Sequence, residues 1–219
     1  MNGVIARFSQ ASVRPLFYLC DDQGGVRERQ QLVLEGIRFS SHAALGYNAL
    51  KVLMQASPDA VDAADLRVNR PMLGAPLSGR RFAWSASGNA ELQCGFSLFK
   101  RKPNRIGFSR NMTLGYFGGR TIPYAAVQLA FHLGFNRVFL VGMDLNTQTG
   151  RFYEQADEAL PSRLDDDYED YILPSFQLMA KRVVGNGFQV FNLSANSRLP
   201  SAVIPKIDLA QFEALLERS

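Results

Sequence analysis

Apolar and polar positions fall in blocks along this chain, and the clearest block, residues 121–144, reads as a helix, a turn and a strand. Thr121 is a preferred N-cap residue, and Pro123 fits the first helical turn, where a missing N–H leaves nothing unpaired. The helix is therefore expected to start close to Ile122. Ala125, Ala126, Val127, Leu129, Ala130, Phe131 and Leu133 are apolar almost all round, the pattern of a helix buried on most sides. Gly134 supplies the left-handed residue that ends it. Val138, Phe139, Leu140 and Val141 then form a short continuous apolar run, as in a parallel strand covered on both faces, with Gly142 and Asp144 at its C-terminal end. Ligands of open parallel sheets bind at that end.

Residues 16–20 read as a second buried strand, and Asp21, Asp22, Gly24 and Gly25 as the loop at its ligand edge. Residues 26–35 have helical composition and end at Gly36. Residues 37–40 fit a short strand, and residues 43–55 another helix. Residues 71–102 hold Pro71, Pro76 and four glycines. They predict an irregular excursion, with strands at 81–85 and 93–99. A strand at 105–109 leads into the loop 111–120, whose Gly115, Gly118 and Gly119 either admit a ligand close to the backbone or simply make a turn. The polar stretch 146–167 has the length of a lid or binding loop. A helix begins near Asp166, kinks at Pro174 and stops at Gly185 and Gly187. The strand 188–193 and a last helix capped by Asp208 complete the chain. Strands interleaved with helices predict an α/β fold of three layers with a mostly parallel sheet, in a single domain spanning 1–219.

Composition narrows the setting. The 219 residues suffice for one core, and no run approaches a membrane span or a signal pattern, so a cytosolic protein is expected. Cys20 and Cys94 form neither a disulfide framework nor a metal motif. The net charge is +4, and 19 of the 24 cations are arginines, which grip carboxylates and phosphates through a planar fork. Arg80, Arg81, Lys100, Arg101, Lys102, Arg105 and Arg110 cluster in sequence. They form a solvated face or a surface for an anionic ligand or an anionic membrane. A sequence pI near 9.2 alone does not make a nucleic-acid binder.

No GxSxG, HExxH, P-loop or GxGxxG motif is present. His42 and His132 lie outside any metal-ligand pattern, and His132 is read as packing near a helix end. Tyr116, Arg120 and Thr121 are stronger candidates, because a phenol, a guanidinium and a helix N-terminus all stabilise a developing phosphate charge. Tyr116 has the alternative role of a loop anchor. Asp144 is either a ribose or acceptor contact or a turn cap, and residues 165–170 offer carboxylates for a general base or an acidic helix start.

The segment RTIPYAAVQLAFHLGFNRVFLVGMDLNTQTGRFYE resembles the core of the bacterial sialyltransferase-like glycosyltransferases. SRLDDDYEDYILPSFQLMAKRV and FNLSANSRLPSAVIPKI are most similar to the lipopolysaccharide inner-core branch of that group, the Kdo III transferases. The resemblance implies a Rossmann-like fold and transfer of Kdo from CMP-Kdo to the lipopolysaccharide inner core, with no cofactor and no obligatory metal. The enzyme would be peripheral at the cytoplasmic face of the inner membrane. It carries Tyr116, Arg120 and Thr121 onto the leaving phosphate and Asp144 onto the family's strand-end aspartate. It also carries Phe152, Tyr153 and Glu154 onto an aromatic-Glu element. Where sialyltransferases hold a histidine base, Asp165 is the expected replacement, and Asn2 and Asp21 are expected substrate contacts. Met1, Asn2 and Gly3 align with the end of the family's second strand, so the chain is expected to start after the glycine-rich donor loop. A non-catalytic remnant of the fold, and an enzyme using another CMP-sugar, are the rival readings.

Overall fold

The computed structural model of the chain describes residues 13–58, 66–69, 80–86, 88–146 and 164–217. Strand β1 (Phe17–Cys20) pairs in parallel with β2 (His42–Gly46), Phe17 opposite His42 and Cys20 opposite Leu45. Strand β3 (Leu66–Asn69) adds in parallel to the far side of β2. Between β1 and β2 run α1 (Gln23–Glu28) and α2 (Gln30–Phe39), and α3 (Tyr47–Ala56) follows β2. The expected loop after β1 is thus a helix. The Asp22 carboxylate accepts from the Gly24 N–H at 2.9 Å and caps α1, so the two glycines start a helix instead of a turn.

Gly36 lies inside α2 and does not end it. A Cβ there would come within 2.4 Å of the Tyr18 ring, so glycine is required by the close approach of helix to strand and not by a turn. Residues 37–40 accordingly stay helical to Phe39, and the strand begins only at His42.

Helix α4 (Arg80–Ala86) occupies the stretch expected as a strand at 81–85. Next comes an antiparallel hairpin of β4 (Leu92–Cys94) and β5 (Gly107–Ser109). Helix α5 (Ile122–His132) starts and stops where expected, with Gly134 at φ 84°. It buries one face, Tyr124, Ala125, Val127 and Gln128, while Ala126, Leu129, Ala130 and Phe131 are half-covered. Strand β6 (Arg137–Leu140) pairs in parallel with β7 (Gln189–Asn192). Between them lie α6 (Leu164–Asp167), a π-helical turn at Tyr168–Ile172 and α7 (Leu173–Arg182), with Pro174 in the first turn of α7. Helix α8 (Leu209–Glu217) carries a capping box: Asp208 accepts from the Gln211 N–H at 2.8 Å while Gln211 accepts from the Asp208 N–H at 3.0 Å.

The class is therefore mixed α/β. The described strands form three small sheets, two parallel and one antiparallel, not one continuous sheet. One apolar cluster gathers Phe108, Phe117, Tyr124, Val127, Ile172, Phe176 and Met179, and a second gathers Tyr18, Val33, Leu45, Ala49 and Leu53. Met112, Tyr116 and Ala125 form a third, small cluster where α5 lies against β1. Among the described residues no helix is long and apolar enough to cross a membrane.

Candidate active site

Asp21 leaves the C-terminal end of β1 and lays its carboxylate over the last residue of β2. A Cβ on Gly46 would stand 1.7 Å from Asp21 Oδ1, so only glycine allows the carboxylate this position. Facing it is Tyr116, 1% exposed, with its ring against Met112 and Ala125. The phenol oxygen has no partner in strict hydrogen-bond geometry, yet it lies close enough to Asp21 for each group to perturb the other. Burial holds the Asp21 carboxyl above the usual carboxylate range against the lowering effect of the phenol, and the Asp22 charge adds to the rise. Burial, then the Asp21 charge, push the phenol far up, so Tyr116 stays neutral. The pair sits at the ligand-binding edge of the parallel strands.

Gln128 on α5 places Tyr116. Its Oε1 accepts from the N–H groups of Ser109 at 3.0 Å and Phe117 at 3.1 Å, and its Nε2 donates to the carbonyls of Phe117 at 2.8 Å and Tyr124 at 3.1 Å. This buried amide fastens the end of β5 and the loop 115–117 to the helix. The next turn brings the chain into α5: Gly119 and Arg120 have φ 54° and 58°, and the Thr121 N–H donates to the Gly118 carbonyl at 3.1 Å, a type I′ turn. Arg120 holds this left-handed conformation without being glycine, which costs about 1 kcal/mol. Its guanidinium is half-exposed, 3.9 Å from Asp167 and 5.2 Å from the centre of the Tyr171 ring. Thr121 occupies the N-cap position, but its hydroxyl makes no capping bond; Pro123 brings no N–H, and the Tyr124 N–H donates to the Thr121 carbonyl at 3.1 Å, so the α5 N-terminus presents the hydroxyl and the helix dipole.

Asp144 and Asp165 meet through a residue the sequence did not single out, Arg198. The Arg198 N–H donates to the Asp144 carbonyl at 2.8 Å, and its guanidinium pairs with Asp165 at 2.6 Å and Glu169 at 3.7 Å over the Tyr168 ring. The loop after β6 is pinned to the loop after β7, because Met143 N–H donates to Ser194 Oγ and Ser197 Oγ donates to the Met143 carbonyl. A strand end rich in Asn and Ser followed by an arginine was the available signal. Asp165 is thus an exposed carboxylate engaged by a cation. Asn2, Tyr153 and Glu154 lie outside the described residues.

Other candidates separate from these groups. His132 is exposed, not packed, because it faces outward from the end of α5; the His42 ring lies 5.0 Å from that of Phe17 at a tilt of 33°. Burial pushes the thiols of Cys20 and Cys94 up to about 11, so both are unreactive at neutral pH. In the basic cluster Arg110 is structural, its Nη2 donating to the Arg182 carbonyl at 3.0 Å, whereas Arg81, Lys100, Arg101, Lys102 and Arg105 are exposed. Among the described residues no three His, Cys, Asp or Glu side chains converge as a metal site. A shallow recess of about 440 Å³ is lined by hairpin residues and Arg182 and includes none of the candidate site residues.

Sequence comparison gives the family. A protein named probable 3-deoxy-manno-octulosonic acid transferase in Salmonella typhimurium is 28% identical over 226 residues, covering 97% of this chain and 79% of that protein. Its namesake in Escherichia coli is 34% identical over 114 residues, covering 52% of this chain and 39% of its own length. No solved structure matches. The family described as 3-deoxy-D-manno-octulosonic acid transferase WaaZ matches residues 1–210, so the chain belongs to that family of glycosyltransferases.

Proposed function

We propose that the chain transfers Kdo from CMP-Kdo to a sugar hydroxyl of the lipopolysaccharide inner core, at the cytoplasmic face of the inner membrane. The observation that carries the reading, beside family membership, is the Asp21–Tyr116 pair over Gly46 at the strand ends. In the reaction the acceptor oxygen attacks the anomeric carbon of Kdo, the bond from that carbon to the phosphate oxygen breaks, and CMP leaves with the electron pair. The hydroxyl proton passes to a carboxylate. Asp21 suits that part better than Asp165, since it is half-buried, held above the ordinary carboxylate range and paired with no cation among the described residues, whereas Asp165 is tied to Arg198. Tyr116 orients Asp21. Arg120, the Thr121 hydroxyl and the positive end of the α5 dipole take the leaving phosphate, which asks for no metal. Asp144 contacts the ribose or the acceptor, and Asn2, Tyr153 and Glu154 complete the substrate contacts. The two parallel sheets fit a Rossmann-like three-layer fold of the sialyltransferase-like type.

The test is incubation with CMP-Kdo and a Kdo-bearing lipid A-core acceptor, reading CMP release and the mass gain of one Kdo. Asp21→Asn should lower turnover by about 10²- to 10⁴-fold while CMP binding, measured calorimetrically, persists. Wild-type turnover in that variant would overturn the role of Asp21. A folded chain that does not bind CMP would be a non-catalytic remnant, and one that binds CMP but accepts only another CMP-sugar would have a different donor.

A further inference from the structure

The β4–β5 hairpin ends in a loop, residues 95–106, that presents apolar side chains to solvent from an ordered frame. Phe99 is 93% exposed, Leu98 57% and Phe96 45%. Asn104, 3% exposed, holds the loop's shape from inside. Its Oδ1 accepts from the Ser97 N–H at 2.7 Å, and its Nδ2 donates to the carbonyls of Ser97 at 2.9 Å and Lys100 at 3.0 Å. The Lys100 N–H closes on Ser97 Oγ at 3.0 Å, and the Gly95 N–H closes the base on the Ile106 carbonyl at 2.8 Å. Arg182 fastens the hairpin to α7 by donating to the Cys94 carbonyl at 2.8 Å. An exposed phenylalanine on such a frame is held out, not left over.

Charge says what it meets. Lys100, Arg101 and Arg105 are exposed beside the apolar tip and make no ion pair with any described residue, while Lys102 pairs with Asp170. No Asp or Glu occurs between Glu91 and Asp144 in the sequence. An exposed tip of Phe, Leu and Phe followed at once by cations has the chemistry of an interfacial anchor: rings and aliphatic carbons enter the headgroup region and the cations rest on lipid phosphates. Leu98, which cannot stack on a base, sets it apart from a nucleic-acid surface.

We propose that the tip of the β4–β5 hairpin docks the protein on an anionic phospholipid bilayer by inserting Leu98 and Phe99, with Lys100 and Arg101 on the headgroups. Docking stands apart from donor binding at Asp21 and Tyr116, so either can fail without the other. The full chain is mixed with sedimentable vesicles of phosphatidylglycerol in phosphatidylcholine, or of phosphatidylcholine alone. The wild type should bind the anionic vesicles preferentially. Leu98→Ser with Phe99→Ser should weaken binding at least about tenfold at any salt. Lys100→Gln with Arg101→Gln should weaken it about 30-fold at low salt and little at high salt. Melting curves and CMP binding should match the wild type in both. In a Trp84→Phe background, Phe99→Trp should shift its emission to the blue on anionic vesicles only. Equal sedimentation with both vesicles, undiminished binding after loss of Leu98 and Phe99, an unshifted tryptophan, or preference for a single-stranded oligonucleotide over vesicles would each overturn the proposal.

Discussion

Tyr116 carries a buried hydroxyl that the fold leaves without a proper partner, so removing that oxygen should cost the structure little. Tyr116→Phe is expected to melt within about 0.5 kcal/mol of the wild type. The same change takes away the phenol's lowering effect on Asp21, so the acid limb of the pH–rate profile should move to higher pH; an unmoved limb would break the link between the two. Asp21 itself makes a stability prediction. Its native value is raised above the unfolded value of about 3.9, so between the two the native state holds the extra proton and stability falls as pH rises through that window. Asp21→Asn should therefore melt higher than the wild type above the window and equally below it, as a pH series of thermal melts would read. Asp21 and Tyr116 could be singled out, one because it ends an apolar run and the other because it sits in a glycine-bearing loop, but not that they face each other. Gly46 and Arg198 were not, since their importance comes from a carboxylate 25 or 33 positions away in the chain. Gln128 escaped notice for the same reason: polar in an apolar helix, it explains itself only once the unpaired amides of Ser109 and Phe117 are known.

At the scale of elements, helix α5 tests how far an apolar pattern can be trusted. Its sequence looks apolar on nearly every side, yet only the face of Tyr124, Ala125, Val127 and Gln128 is fully covered. Val127→Asp, which places a carboxylate among Phe108 and its neighbours, should cost several kcal/mol and unfold the chain. Ala126→Asp on the half-covered side should leave a cooperative melt; equal loss in both by circular dichroism would mean that the helix is buried all round. The strands β1, β5, β6 and β7 and the helices α5 and α8 could be read from runs, caps and a left-handed glycine, which are local signals. Elements whose glycines answer a distant contact could not. Gly36 looks like a helix stop but serves the Tyr18 ring, and that one misreading displaced the strand and helix that follow it.

The whole molecule has two main apolar clusters that share no residue, one built from β1, β2 and α1–α3, the other from the hairpin, α5, the π-turn, α7 and β7. They meet where α5 lies on β1, through Tyr116, its small cluster and the Asp21 carboxylate. Clusters joined by so narrow a seam should open separately, the smaller first. In native-state hydrogen exchange the amides of β1, β2 and α3 are expected to exchange through a lower-energy opening than those of β5, α5, α7 and β7. A donor nucleotide bound at the seam touches both sides, and at about 100 times its dissociation constant it adds up to about 2.7 kcal/mol to any opening that releases it. Saturating CMP should therefore slow exchange in β1 and β2 most, raising that opening toward the energy of the rest and narrowing the gap between the clusters. Slowing confined to the amides of β6 and β7 would instead place the nucleotide beside Asp144 and Arg198, and would leave Asp21 with a structural role alone.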